Sequence, residues 1–117
     1  MNALGRFGED HAARWLRESG CTVLERGWRF GHGEIDLIIL DGEDLAFVEV
    51  KTRSPDPLAS PAEAVTLAKQ RKLIRAAKYY LQQTGQSDEP ARFDVAEVTP
   101  LDSGRWMVHI IKGAFTA

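Results

Sequence analysis

Residues 33–53 read GEIDLIILDGEDLAFVEVKTR, two apolar runs joined by an acidic turn. Ile, Leu, Val and Phe dominate both runs, yet the first carries Glu34 and Asp36 and the second Glu49 and Lys51. Side chains alternate along a strand, so Glu34 and Asp36 share one face, as do Glu49 and Lys51. The turn decides whether the two pairs meet. With Gly42-Glu43 as a two-residue loop, glycine first as a type II′ turn requires, Asp41 pairs with Asp44. Opposite residue numbers then sum to 85, which sets Asp36 across from Glu49 and Glu34 across from Lys51. A four-residue loop over 41–44 gives the same register. With Asp41-Gly42 as the central pair, Asp36 and Glu49 become diagonal neighbours on the same face. Directly opposite Cβ atoms lie about 4.5–5.5 Å apart, so every one of these turns gathers the two carboxylates.

Like charges opposite one another weaken a sheet, and two close carboxylates do not both ionise cheaply without a cation. A divalent metal would resolve the repulsion. Oxygen-only donors, with no cysteine or histidine in the hairpin, favour Mg²⁺ or Mn²⁺ over zinc. The competing reading is structural: Glu34 and Lys51 as a cross-strand ion pair, with Asp36 solvated at a sheet edge. Spacing alone leaves both open.

Outward from the hairpin, residues 3–19 read as a helix stopped by Gly20, and 21–30 as a strand weakened by Gly27. The hairpin strands run from Glu34 to Leu40 and from Leu45 to Thr52. SPDPLASP, residues 54–61, is a loop by its prolines and serines. A long helix is expected from about Pro61, suited to a first turn, to Thr84. Strands over 92–99 and 105–112 close the chain around an Asp102-Ser103-Gly104 turn. The order αβββαββ implies an α/β sandwich, one mixed sheet with helices packed on it. At 117 residues the chain reads as one domain, residues 1–117, with enough length to bury a core.

The N-terminal stretch carries Arg6, Glu9 and Asp10 where a signal peptide needs an apolar run. Runs such as Leu37–Leu40 are far too short to span a bilayer. Cys21, the single cysteine, can form no intrachain disulfide. A soluble cytoplasmic protein without a membrane partner is expected. The net charge of −2 argues against a generic polyanion binder, whose affinity comes from neutralised phosphates. Distribution says more than the sum: Lys69–Lys78 holds five basic residues and no acid, and Glu34–Glu49 six acids and no base.

On the first helix, Leu4, Phe7, His11 and Trp15 recur at helical spacing and are expected to form the buried face, with His11 as a core histidine. Glu9 falls at the margin of that face, near Ala12 and Leu16, as a boundary carboxylate. On the second helix the apolar arc runs through Ala62, Val65, Leu73, Ala76, Ala77 and Tyr80. Lys69 lies inside it, either snorkelling from the sheet rim or aimed at the hairpin acids. Arg71, Arg75 and Lys78 stack on the opposite face, as a solvated basic stripe or as phosphate contacts along a duplex. Arg53 shares the face of Lys51 and is a candidate phosphate contact. His32 could approach the acids from its Gly-His-Gly turn. His109 suggests no role; Trp15, Trp28 and Trp106 read as core or rim aromatics, and Cys21 has no neighbouring base to make it a nucleophile.

GEIDLI and FVEVKTR, with GRFGEDHAARWLRESG before them and RFDV after, resemble the YraN family of uncharacterised bacterial proteins over nearly the whole chain. That family looks like a small member of the PD-(D/E)XK nuclease superfamily and is similar in layout to archaeal Holliday-junction resolvases. The resemblance implies a restriction-endonuclease-like fold and a Mg²⁺- or Mn²⁺-dependent endonuclease acting on nucleic acid, DNA and branched or structured DNA first. Asp36 matches the motif's first acid, Glu49-Val50-Lys51 its E-x-K, and Glu9 the acid that resolvases keep on their first helix. Ile35 stands where the motif's proline is usual. The resemblance further implies a metal held by Asp36, Glu49 and the Val50 carbonyl, with Lys51 orienting water or steadying phosphate charge. It leaves Glu34 either as Lys51's partner or as an outer metal contact. Resolvases cut two strands symmetrically, which implies a homodimer. A non-catalytic nucleic-acid-binding adaptor on the same fold is the alternative.

Overall fold

The computed structural model describes residues 3–31, 33–53 and 65–117. The expected hairpin forms as β2 (Gly33–Asp41) and β3 (Asp44–Thr52), with Asp41 paired to Asp44 and Leu37 to Val48. Gly42 takes φ +64° at the first loop position and Glu43 stays at negative φ, the combination a type II′ turn requires. β1 (Thr22–Phe30) pairs antiparallel on the outer side of β2. β4 (Ala91–Pro100) lies parallel to β3, and β5 (Trp106–Phe115) antiparallel to β4. The sheet order is therefore β1-β2-β3-β4-β5. A parallel step needs a crossover, and α2 (Leu67–Gln83) lies in it.

α1 (Ala3–Glu18) packs on one face of the sheet and α2 on the other. Ala12, Ala13 and Leu16 of α1 meet Leu37, Ile39, Ala46, Val48, Ala96 and Val98. Leu73, Ala76, Ala77, Tyr80 and Leu81 of α2 meet Ile35, Ile38, Leu45, Phe47 and Phe93. This is the restriction-endonuclease-like α/β architecture that the sequence led us to expect.

α1 corrects one expectation. Phe7 is 56% exposed and Trp15 41%, and His11 is half-buried against Trp106 rather than central to a core. The buried stripe instead runs through Gly8, Glu9, Ala12, Ala13 and Leu16. The side chain of Leu4 lies outside the described residues. Close approach explains the rotation: a Cβ on Gly8 would stand 2.0 Å from Thr52 Oγ1 and 3.2 Å from Thr52 Cβ. Small residues let the helix backbone sit on β3, and bulky aromatics are left at the flanks. The helix ends as foreseen. Gly20, at φ +97°, donates to Arg17 O while Cys21 N–H reaches Leu16 O, the paired bonds of a Schellman cap.

α2 corrects another. Val65 and Thr66 are not helical, and Thr66 caps the helix by accepting from the Lys69 N–H at 3.2 Å. A threonine one residue before a helical run outcompetes continuation because it satisfies an orphan backbone donor. The loop over 54–61, Pro61 and Ala62 lie outside the described residues. β5 also exceeds its expected length, running on to Phe115, which stacks on Phe93 at 5.0 Å. Gly113, at φ +61°, donates to Asp94 Oδ1 at 3.0 Å beside the register shift at Phe93/Val95.

Candidate active site

The β2–β3 ladder stops at Leu37↔Val48. Beyond it Ile35 packs with Ile38 against α2, although strict alternation would place it with Leu37. The strand is irregular at Asp36. There the Val50 N–H, which points toward β2, donates to Asp36 Oδ2 at 2.8 Å instead of to a backbone carbonyl. The hairpin thus opens where its charges lie, and the opening is a concave pocket of about 240 Å³ lined by Gly5, Glu9, Glu34, Asp36, Glu49 and Val50.

The Asp36 and Glu49 carboxyls lie close enough for each to shift the other's titration. Glu49 is only 7% exposed. Burial, joined by the Asp36 charge, pushes its carboxyl up to about 7, against the pull of Lys69 and Lys51. Burial raises Asp36 as well, opposed by the Val50 N–H and by Glu49 beside it. Lys69 reaches across from α2 to place Nζ 3.8 Å from Glu49 Oε1. Its position inside the apolar arc of α2 therefore aims it at the acids. Lys51 is half-buried and makes no ion pair within 4.0 Å among the described residues.

Glu9 comes over from α1. At 6% exposure it is no boundary carboxylate, because the helix has turned its stripe of small residues, Glu9 among them, onto the sheet. Its Oε1 accepts from Arg26 Nε at 3.2 Å, and Arg26 also binds Asp10. Burial raises the Glu9 carboxyl, partly countered by Arg26. Nothing in the sequence singles out Arg26; the pairing depends on where α1 crosses β1. Glu34 resolves its ambiguity against Lys51: its partner is Arg29, Nη2 to Oε2 at 3.6 Å.

The other candidates divide. Arg53 Nε sits 2.8 Å from Glu97 Oε2, without the angle of a hydrogen bond, so a phosphate would have to share it. Arg71, Arg75 and Lys78 are exposed along α2, away from the acids. His32 lies outside the described residues. His109 is exposed in β5, and Trp28 packs edge-on to Tyr80. Burial, with Asp41 beside it, raises the Cys21 thiol, which fits no nucleophilic role.

Can these residues hold a divalent ion? Among the described residues no group of three or more His, Cys, Asp or Glu side chains is gathered for one. A two-carboxylate set completed by a backbone carbonyl fits better. Among the described residues Glu49 Oε2 is buried without a hydrogen-bond partner, as is Glu9 Oε2, and Val50 lines the same pocket. An unsatisfied buried carboxylate oxygen is costly unless something cationic meets it. The donors are all oxygen, the chemistry of Mg²⁺ or Mn²⁺.

Comparison with known proteins agrees with the residues. The model of the uncharacterised protein family UPF0102, which is the YraN family, matches residues 8–98. A UPF0102 protein of Symbiobacterium thermophilum is 49% identical over 114 residues, 97% of each chain. One from Chlorobium chlorochromatii is 55% identical over 95 residues, covering 81% of this chain and 73% of its own. Among solved structures, SfsA of Pyrococcus furiosus in complex with Ca²⁺ superposes with a TM-score of 0.51 at 14% identity. The likeness covers 89% of this chain but 62% of SfsA, and at that identity it is a likeness of fold.

Proposed function

The chain belongs to the uncharacterised protein family UPF0102, and on that footing we propose that it is a metal-dependent nuclease acting on nucleic-acid phosphodiesters, structured or branched DNA first among them. One observation carries the reading: a buried Asp36–Glu49 pair, flanked by Lys51 and Lys69, where the β2–β3 ladder opens into a pocket. Burial raises both carboxyls, and perturbed acids gathered in a concave pocket are what a functional site calls for.

In this proposal Asp36, Glu49 and the Val50 carbonyl hold a Mg²⁺ or Mn²⁺ ion, which when bound polarises a phosphoryl oxygen and makes a water more acidic. SfsA, the neighbour in fold, was solved with Ca²⁺, in keeping with a divalent cation on this scaffold. Lys51, without an ion-pair partner among the described residues, orients the attacking water or meets the charge that builds on the phosphate. Lys69 holds the Glu49 carboxylate in its ionised form. Glu9 and Glu34 form the outer rim of the pocket and reach the site through water. Arg71, Arg75, Lys78 and a shared Arg53 follow the backbone of the substrate. A homodimer in the cytoplasm, cutting two strands, completes the proposal.

The decisive experiment is a Mg²⁺/Mn²⁺ cleavage panel over linear, flapped and four-way DNA and RNA, with Lys51→Ala alongside. Cleavage by the wild type that Lys51→Ala abolishes supports the reading. Cleavage that persists in the variant marks a contaminant and overturns it. Calorimetry adds a second arm: Asp36→Ala should lose Mn²⁺ binding, and wild-type affinity in that variant would sink the metal assignment. A second reading has its own observation. The Lys69 ammonium beside Glu49 is already a cation for the acid pair, as a binding adaptor without metal would need. Nucleic-acid binding with neither Mn²⁺ uptake nor cleavage would favour it.

A further inference from the structure

Beside the acids lies a second hollow, of about 180 Å³, lined by Phe30, Gly31, Gly33, Lys72, Arg75 and Ala76. It sits where the β1–β2 turn meets α2, and Gly33 stands immediately before Glu34 at the acid pocket's rim. Its walls are mostly apolar carbon, with two cations at the edge. Phe30 stacks on Tyr79 with planes 12° apart, yet 40% of it remains open to solvent. An aromatic ring at a strand end, supported from behind and exposed in front, is unexplained by the core. The hollow also depends on a missing side chain: a Cβ on Gly33 would stand 3.3 Å from Ala76 Cβ.

The cations connect the two cavities. Lys69, at Glu49, is followed one turn later by Lys72 and another turn later by Arg75, each step about 4.5 Å of helical rise. Lys69 and Arg75 are thus separated by about 9 Å of rise along α2. The three cations wind about a third of a turn around α2, from the acid-facing side to its exposed side, a path that a flexible phosphodiester strand can follow from one pocket to the other.

We propose that this hollow receives an unpaired nucleobase, one or two nucleotides from the scissile phosphate, stacked on Phe30 while Lys72 and Arg75 hold its phosphates. The inference rests on the nuclease reading and narrows its substrate to strands with an unstacked nucleotide beside the cut, such as a flap, a junction or a single strand. A base in an intact duplex is stacked on both faces and cannot enter a side pocket without leaving the stack. Stacking on an exposed aromatic beside cations is how single strands are gripped without reading sequence.

The test separates this proposal from the reading beneath it by measuring binding in chelator, where no cleavage occurs. Fluorescence anisotropy is recorded for short oligothymidylate, oligouridylate, an abasic strand of equal length, and a blunt duplex. Variants are Phe30→Leu and Lys72→Gln/Arg75→Gln, each checked for wild-type circular dichroism. Wild type should bind the thymidylate or uridylate strand about tenfold more tightly than the abasic one, on the scale of one base–aromatic stack. The ratio between those two strands shows whether DNA or RNA is preferred. Phe30→Leu should erase the difference and leave duplex binding unchanged; Lys72→Gln/Arg75→Gln should weaken the base-bearing and abasic strands by the same factor. Undiminished preference for the base-bearing strands in Phe30→Leu overturns the pocket and leaves the nuclease reading standing. Wild type that binds none of the probes overturns both.

Discussion

Glu49 is the residue whose proton matters most. Unfolded, its carboxyl titrates at 4.5, and folded at about 7. Below the first value both states are protonated and stability is intact. Between the two the folded protein keeps a proton that the unfolded chain has released, so stability falls as pH rises, by an amount on the order of 3 kcal/mol once the folded carboxyl has ionised. Urea denaturation in chelator should therefore give a falling free energy across that window, and Glu49→Gln should flatten it. Equal slopes in both proteins would remove Glu49 as the cause. Lys69→Met should extend the fall to higher pH, since Lys69 is the strongest charge favouring ionised Glu49. The meeting of Asp36 with Glu49 was legible in the sequence because alternation and a two-residue turn are local rules. Their interlock through Val50 N–H was not, because it depends on a strand irregularity at Asp36 that alternation does not foresee. Glu9's burial and its bond to Arg26 were equally hidden, since they arise where two distant elements cross.

Among the elements, α1 shows how hydrophobicity misleads. Phe7 and Trp15 are the most apolar choices for a buried face, yet Gly8, Ala12 and Ala13 win because contact with β3 is backbone-close. Gly→Ala inside a helix ordinarily stabilises by up to about 1 kcal/mol. Gly8→Ala should do the reverse, costing about 1–3 kcal/mol as overpacking does, and should carry Glu9 out of its pocket. Adding Thr52→Ala removes the nearest clashing oxygen and should restore part of the melting temperature; no recovery would show the strain to lie elsewhere. At the opposite end of the sheet, Arg92 binds Asp94 through Nε and Nη2 and also reaches Asp41 and Asp44. Asp94 is 1% exposed. Arg92→Ala strands that carboxylate and should cost about 3–5 kcal/mol, read as a lower urea midpoint with unchanged slope. Here lies the physical sense of RFDV, which reads in sequence as a plain strand.

At the scale of the molecule, αβββαββ was legible because its period-2 and period-3.6 stretches are long and cleanly punctuated. The start of α2 was not: a cap at Thr66 rather than the proline at 61 sets it. Saturating Mn²⁺ should stabilise the whole fold, by about 2.7 kcal/mol at a hundredfold excess over Kd. A thermal shift that survives in Asp36→Ala would place the ion elsewhere. The two charged ends of the sheet differ in kind. Around Arg92 every Asp94 oxygen is met by a donor; around Glu49 and Glu9 one oxygen of each is unmet among the described residues, and the β2–β3 ladder has already ended. Hydrogen exchange should resolve this as a gradient along single strands. Amides of β4 beside Asp94 should exchange only through global unfolding, and those of β3 from Glu49 onward through cheaper local openings. A bound cation would close that gradient, so the protein's slowest and fastest protected amides would converge only when its site is filled.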